Sequence, residues 1–405
     1  MKKITLLAAI SFCILFTKLY AQVGIGTTTP NAAAMLHVDA GTSTTKGLLI
    51  TGTFNNSATV PNLGAGTRLM FYPGKAAFRA GFVYGTEWND GFVGPYSVAM
   101  GLGTVASGQV STAMGYETTA SGTTSVAMGQ NSTASGDNST AMGNYTTASG
   151  STSVAMGAST VASGSSSTAM GARTTASGYV STAMGSKVST NNQQGAFIIG
   201  DSDPLVQGYT LSGLTDQFVA RFYNGYYLLT SGDASATRSG VSIAHNGNSW
   251  VSICDKNRKE NFEPLNGEAV LQKLSAINFT SWNYKMQDPK SYRHYGIMAQ
   301  DFNNAFGKDK YGVIGNDTTV NPIDMIGIDM AAIQALVKRT DELKNENDKL
   351  KNQLADQNNE NESLRQSIAL LQTSFNEQQK LVAQSLQKME ALTIKQTMTE
   401  PVAIK

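Results

Sequence analysis

The chain has 405 residues, room for two or three domains of ordinary size, with 40 glycines, 15% charged residues and a formal net charge of +1. That balance offers no electrostatic basis for nucleic acid or an acidic membrane surface as partner. The charges are unevenly placed: between Ser97 and Gly185 only Glu117, Asp137 and Arg173 occur, and residues 254–405 carry most of the rest.

Residues 1–21 read as an export signal. Lys2 and Lys3 form its basic end, and Leu6 to Phe16 its apolar centre, too short to span a bilayer as a stable helix. Leu19-Tyr20-Ala21 is a cleavage site that leaves Gln22 first. Cys13 is a poor lipid acceptor, because bulky Phe12 precedes it. No later stretch has the length and apolarity of a transmembrane helix. The mature chain keeps one cysteine, Cys254, for which an intrachain disulfide is impossible. An unbridged thiol, an intermolecular bridge and a reactive group remain open.

Residues 22–95 are rich in Gly, Thr and Pro. Short apolar runs at GLLITG, RLMFYPG and AAFRAGFVYG predict short strands of an N-terminal attachment or capping region. Residues 96–190 are a strict repeat. Methionines at 100, 114, 128, 142, 156, 170 and 184 are each followed by glycine, and Ala-Ser-Gly triplets fall half a period later. Each unit predicts two five-residue strands, each closed by a glycine able to turn the chain with positive φ. One unit cannot bury enough surface alone, so stacked units must share a core, as in solenoids. Side chains alternate along a strand, which puts Ala99 and its equivalents on one face and Val98 or Thr112 with Met100 on the other. One face fills a narrow interior. The other is an apolar outer stripe that calls for association, most simply around a symmetry axis.

Residues 191–253 predict a β-stem with strands in GAFIIG, QFVARF, GYYLLT and GVSIA. Phe218, Phe222, Tyr226, Tyr227 and Trp250 are expected to serve core or intersubunit packing rather than binding. At Cys254 the composition changes to the charged run CDKNRKENFEPL. Val270, Leu271 and Leu274 then have helical spacing within residues 254–332. Residues 333–392 carry heptads: with Leu336 as d, the d positions include Leu343, Leu350, Leu364 and Leu371, and the a positions include Ile333, Leu354, Ile368 and Phe375. Glu346 with Lys351, and Glu360 with Arg365, favour parallel chains in register. The heptads leave dimer and trimer open, with Asn347 and Asn361 at a positions leaning toward a dimer. A short tail, 393–405, ends the chain. His294, in RHYG, reads as a hydrogen-bonded structural residue, with a catalytic helper role as the alternative. No His/Cys cluster has metal-ligand spacing, no Gly-rich loop has a phosphate-binding pattern, and the roll has no paired carboxylates for glycoside chemistry.

The units SVAMGLGTVASGQV and SVAMGQNSTASGDN resemble the head repeats of YadA-like trimeric autotransporter adhesins. The resemblance implies a trimer of left-handed parallel β-rolls. It departs from that family in lacking terminal strands of a membrane barrel, so it implies nothing about anchoring. The opening VGIGTTTP…LHV resembles the start of many bacterial surface and tail-fibre-like proteins. The order of charged start, W-N-Y-K, G-x-M-A-Q-D and A-A-I-Q-x-L running into heptads resembles the C-terminal intramolecular chaperone domain of endosialidases and phage tailspikes, from Cys254 to near Leu392. That domain trimerises, guides folding of the fibre before it and cuts itself off just before a serine that opens an S-D-x-x-x-K motif.

Here the motif reads Cys254-Asp255-Lys256-Asn257-Arg258-Lys259: the lysine is kept, and cysteine replaces serine. A thiol is the better nucleophile, and Lys256, Arg258 and Lys259 follow it closely in sequence. The resemblance implies Cys254 as nucleophile on the Ile253 carbonyl and Lys259 as base, with Asp255 orienting the lysine or starting a turn. An inert cysteine in a domain that no longer cuts is the alternative, so any enzyme activity is at most a single-turnover self-cleavage. The expected fold is mainly β: a left-handed parallel β-roll solenoid, trimeric, with flanking β regions and a C-terminal α+β chaperone domain ending in a coiled coil. Expected partners are further copies of the chain and an unidentified host-surface or glycan ligand, with no cofactor, no metal and no nucleic acid.

Overall fold

The computed structural model describes residues 22–203, 205–231 and 239–397. The export signal, residues 1–21, and the tail beyond Thr397 lie outside the described residues. The chain divides into two compact units between Cys254 and Asp255.

The first unit is built around a parallel β-solenoid. Five-residue strands, from Val98–Leu102 to Thr182–Ser186, stack in register, so that alanine lies on alanine, methionine on methionine and glycine on glycine. A second sheet forms from strands of only two residues, Val105–Ala106 to Val188–Ser189. Ala99, Ala106 and their equivalents are fully buried, as are Ser97, Thr104 and theirs. The alternation expected from the strand period is thus realised, with a core narrow enough that only small side chains fit it. The outer stripe is less exposed than the sequence suggests. Valine, threonine and methionine of successive coils shield one another, and among the repeat methionines only Met100, in the first coil, is classed as exposed, at 40%.

Turns and glycines exchange the roles expected of them. Most corners are made by residues other than glycine, such as Glu117, Asn131 and Tyr145 at one corner and Val110, Thr124 and Val180 at the other, all with φ between 51° and 60°, while Gly103 and Gly195 take the equivalent places in end coils at φ 62° and 64°. Left-handed valine is strained. The cost is offset by bonds between coils: the Val110 amide donates to the Pro95 carbonyl and the Glu117 amide to the Leu102 carbonyl, each at 2.8 Å. The glycines instead permit close approach. A Cβ on Gly143, at φ 134°, would lie 2.0 Å from the Gly157 oxygen, and one on Gly136 would lie 2.0 Å from the Gly150 oxygen.

The N-terminal end of the solenoid is plugged. An antiparallel hairpin, Gly66–Tyr72 with Ala77–Val83, joins the first coil through parallel pairing of Ala77–Val83 with Val98–Leu102. Arg79 pairs with Ala99 and is fully buried. Its guanidinium donates to the Phe78 and Ser97 carbonyls at 2.9 Å, to the Ser97 hydroxyl at 2.8 Å and to the Ala106 carbonyl at 3.1 Å. Burial pulls its pKa down to about 10. Lys75 donates to the Asp90 and Val93 carbonyls, and the Trp88 indole, packed with Val60, Val83 and Val93, donates to the Thr104 carbonyl at 2.9 Å. These groups satisfy backbone that a preceding coil would otherwise meet. Arg79→Ala leaves a cavity and unmet carbonyls, so it is expected to destabilise the unit by about 3 kcal/mol in thermal unfolding.

One reading of the flanks is corrected. GLLITG forms no strand: Leu48, Leu49 and Ile50 are 77%, 83% and 53% exposed, because no neighbouring edge pairs with them and β-propensity alone does not make a strand. Of the stem aromatics expected to serve core or intersubunit packing, Phe218, Tyr227 and Trp250 are 67%, 53% and 55% exposed within one chain. Pairing also runs past residue 190. Phe197–Gly200 and Phe218–Arg221 extend the methionine sheet, and Thr210–Leu211 the other. A three-stranded antiparallel sheet of Gly225–Leu229, Gly240–Ala244 and Val251–Ser252 follows.

The second unit holds α1 (Gly267–Ser275), a two-stranded sheet of Thr280–Trp282 and His294–Gly296, α2 (Ala299–Phe306) and α3 (Pro322–Thr397). Asn266 caps α1 by accepting from the Glu268 and Ala269 amides. Its core is Val270, Phe302, Phe306 and Ala332, with Leu271 and Leu274 against it. Gly267 lets α1 meet α3, since a Cβ there would lie 2.7 Å from the Ala335 Cβ. From Leu336 to Thr397 every residue of α3 is exposed.

Candidate functional site

Ile253 and Cys254 close the first unit. They follow the short edge strand Val251–Ser252 and lie outside regular secondary structure; Ile253 is 36% exposed and Cys254 is exposed. Asp255 opens the second unit. Its carboxylate caps a single helical turn, Lys256–Arg258, by accepting from the Asn257 amide at 2.9 Å, and it pairs with Arg258 at 3.7 Å. Lys259 ends the turn in extended conformation, its amide donating to the Lys256 carbonyl at 3.1 Å. Of the two roles weighed for Asp255, the geometry displays the start of a turn. Among the described residues, no group of three or more His, Cys, Asp or Glu side chains is placed to hold a metal, and no helix is long and apolar enough to cross a membrane.

Farther along the second unit, His294 is part of a stack. Its ring lies 4.6 Å from that of Trp282, Tyr284 meets Trp282 edge-on at 4.9 Å, and the His294 Nε2 bonds the Gln287 side chain at 3.0 Å. These contacts fit a structural histidine.

A second pair escaped the sequence reading. Arg339 on α3 donates through Nε to both carboxylate oxygens of Glu268, at 3.0 and 2.9 Å, and through Nη2 to one of them. Bonding to Arg339 holds the Glu268 carboxyl below its ordinary range. A depressed carboxylate contributes stability above its unfolded pKa, and that contribution is lost as pH falls through its folded value. Glu268→Gln is therefore expected to lower the melting temperature of the helical signal near neutral pH. The difference from the wild type should close in acid, where Glu268 itself is protonated.

Residues 93–118, 120–146, 134–160, 148–174 and 162–187 each match the family model described as YadA head domain repeat (2 copies). Residues 254–309 match the family described as chaperone of endosialidase. No curated protein matches the chain. The chain therefore carries, in this order, YadA head repeats and a chaperone-of-endosialidase segment that begins at Cys254.

Proposed function

We propose that the chain is an exported fibre of adhesin or tail-fibre type, assembled as a trimer by its C-terminal segment, which then cuts itself off between Ile253 and Cys254. One observation carries the assembly: α3 leaves Leu336, Leu343, Leu350, Leu364 and Leu371 between 50% and 69% exposed, at heptad spacing. Such a seam is stable in water only against other helices. The two matched families, both of self-associating proteins, support three chains over two. The exposed stem aromatics are covered in the same assembly. Helices that gather first shorten the search for register, which is slow for non-local β pairing.

In the cleavage step, Lys259 takes the thiol proton of Cys254, and Sγ attacks the Ile253 carbonyl carbon. The bond to the Cys254 nitrogen breaks as Lys259 returns the proton to that nitrogen, which leaves as an amine. Water then hydrolyses the resulting thioester, leaving Ile253 as a carboxylate and Cys254 as a new N-terminus with its thiol restored. Exposure of the Ile253–Cys254 bond supports this reading. Loss of the helices would make the folded shaft hard to unfold reversibly. Intact-mass measurement of purified protein tests it. A fragment beginning at Cys254, absent from Cys254→Ala and Lys259→Ala, is expected. Full-length chains alone in the wild type would make α3 a permanent stalk instead.

A further inference from the structure

The larger sheet of the first unit ends, on its N-terminal side, in an edge strand. Gly66–Tyr72 is seven residues long and pairs on one side only, with Ala77–Val83. An edge of that length, without Pro or Lys, is a template for one more strand. Its one charge, Arg68, is turned back onto its own chain, donating to the Gly64 carbonyl at 2.6 Å. Met70 and Tyr72 pack against the core, whereas Thr67, Leu69 and Phe71 are exposed, Leu69 at 74%. The ladder sets Phe71 in line with Phe78 and Val98, and Leu69 in line with Ala80 and Met100. The exposed face of this strand therefore continues the outer Val/Thr/Met stripe, the face that calls for association.

The same chain carries a strand-forming segment outside any strand. Residues 46–53, KGLLITGT, are exposed throughout and form no regular structure. Just after them the chain is anchored: the Asn55 amide donates to the Gly74 carbonyl at 2.8 Å, and the Phe54 ring stacks on that of Tyr96 at 4.8 Å. The segment thus leads into the turn of the hairpin without pairing with that hairpin's own edge. Extended, eight residues reach about 26 Å, more than twice the ~10 Å at which facing sheets pack. We propose that residues 46–53 add as a strand to Gly66–Tyr72 of a neighbouring copy. The added strand satisfies the backbone of the edge and gives Leu48, Leu49 and Ile50 apolar neighbours. Donor and acceptor are different parts of each chain, so the contact runs head to tail and closes around a symmetry axis. The inference rests on the assembly proposed above and deepens it: the exchange lies in the first unit, so it stays with the shaft when the C-terminal segment is cut off.

The test co-expresses two full chains, both carrying Cys254→Ala, one with Leu49→Cys and the other with Leu69→Cys. Both leucines are exposed within one chain, so neither change disturbs its packing. The protein is treated with a short bis-maleimide, and the linked peptides are identified by mass spectrometry. Because the two cysteines are on different chains, a link between residues 49 and 69 joins two copies, and it is expected as the main product. Adding Ile50→Pro and Thr51→Pro to the first chain removes two successive amides, one of which faces the edge. These prolines are expected to abolish the link with the circular dichroism unaltered. A link that survives them overturns strand pairing. If a chain carrying both cysteines links only within itself, the segment belongs to its own edge and the exchange is overturned. No link in chains that sediment as an assembly overturns the exchange and leaves the assembly standing; no link in chains that sediment singly overturns both.

Discussion

Alanine in place of Gly143 is expected to destabilise the solenoid by about 3–5 kcal/mol, the sum of overpacking and left-handed strain. The new Cβ would lie 2.0 Å from the Gly157 oxygen, a backbone atom of the next coil with no rotamer to change. Relief requires the two coils to part, and parting breaks the ladder from Thr140 to Asn144 that joins them. Gly143 also has φ 134°, where any Cβ is strained. Val180→Gly, at a corner with φ 53°, is the control: it removes a left-handed valine and is expected to be neutral or stabilising. Denaturant unfolding of both variants checks the pair, and a Gly143→Ala protein as stable as its parent would mean that the coils are not held at this spacing.

The second large effect is expected at the helix seam. Leu343 and Leu350 are 59% and 54% exposed in a single chain, so aspartate at both positions removes little packing within it. In an assembled seam the same positions are buried. Losing two leucines there forfeits about 4 kcal/mol per chain, which weakens association by about a thousand-fold or more. The double variant is expected to keep its helical circular dichroism signal at concentrations where it sediments as single chains. An assembly as tight as the parent's would place the contacts elsewhere.

Much of the architecture was legible because period and spacing carry direct physical meaning. Alanine inside and methionine outside follow from alternation along a strand, and heptads mark the exposed seam of α3. The functions of glycine were not legible, since sequence does not distinguish a glycine that turns the chain from one that lets two backbones touch. Val110 and Val180 look like strand residues, and only bonds between coils make them corners. The second stretch of each unit shrinks to two paired residues because corners close in on it from both ends. Arg79, a charge at an inward position of AAFRAGFVYG, was the trace of the end plug, but its carbonyl partners come from a coil that sequence alone does not bring near. At the candidate site Cys254 and Lys259 were named by resemblance, and a turn begun by Asp255 was one of two roles the sequence left open, because the choice depends on local backbone geometry.

In the proposed assembly the C-terminal helix gathers three chains. Sedimentation equilibrium of the full chain carrying Cys254→Ala, in which the helix stays attached, tests it most directly. A mass of three chains, reduced to one by Leu343→Asp with Leu350→Asp, is expected. A single-chain mass in the parent protein, across the concentrations at which it folds, would contradict it.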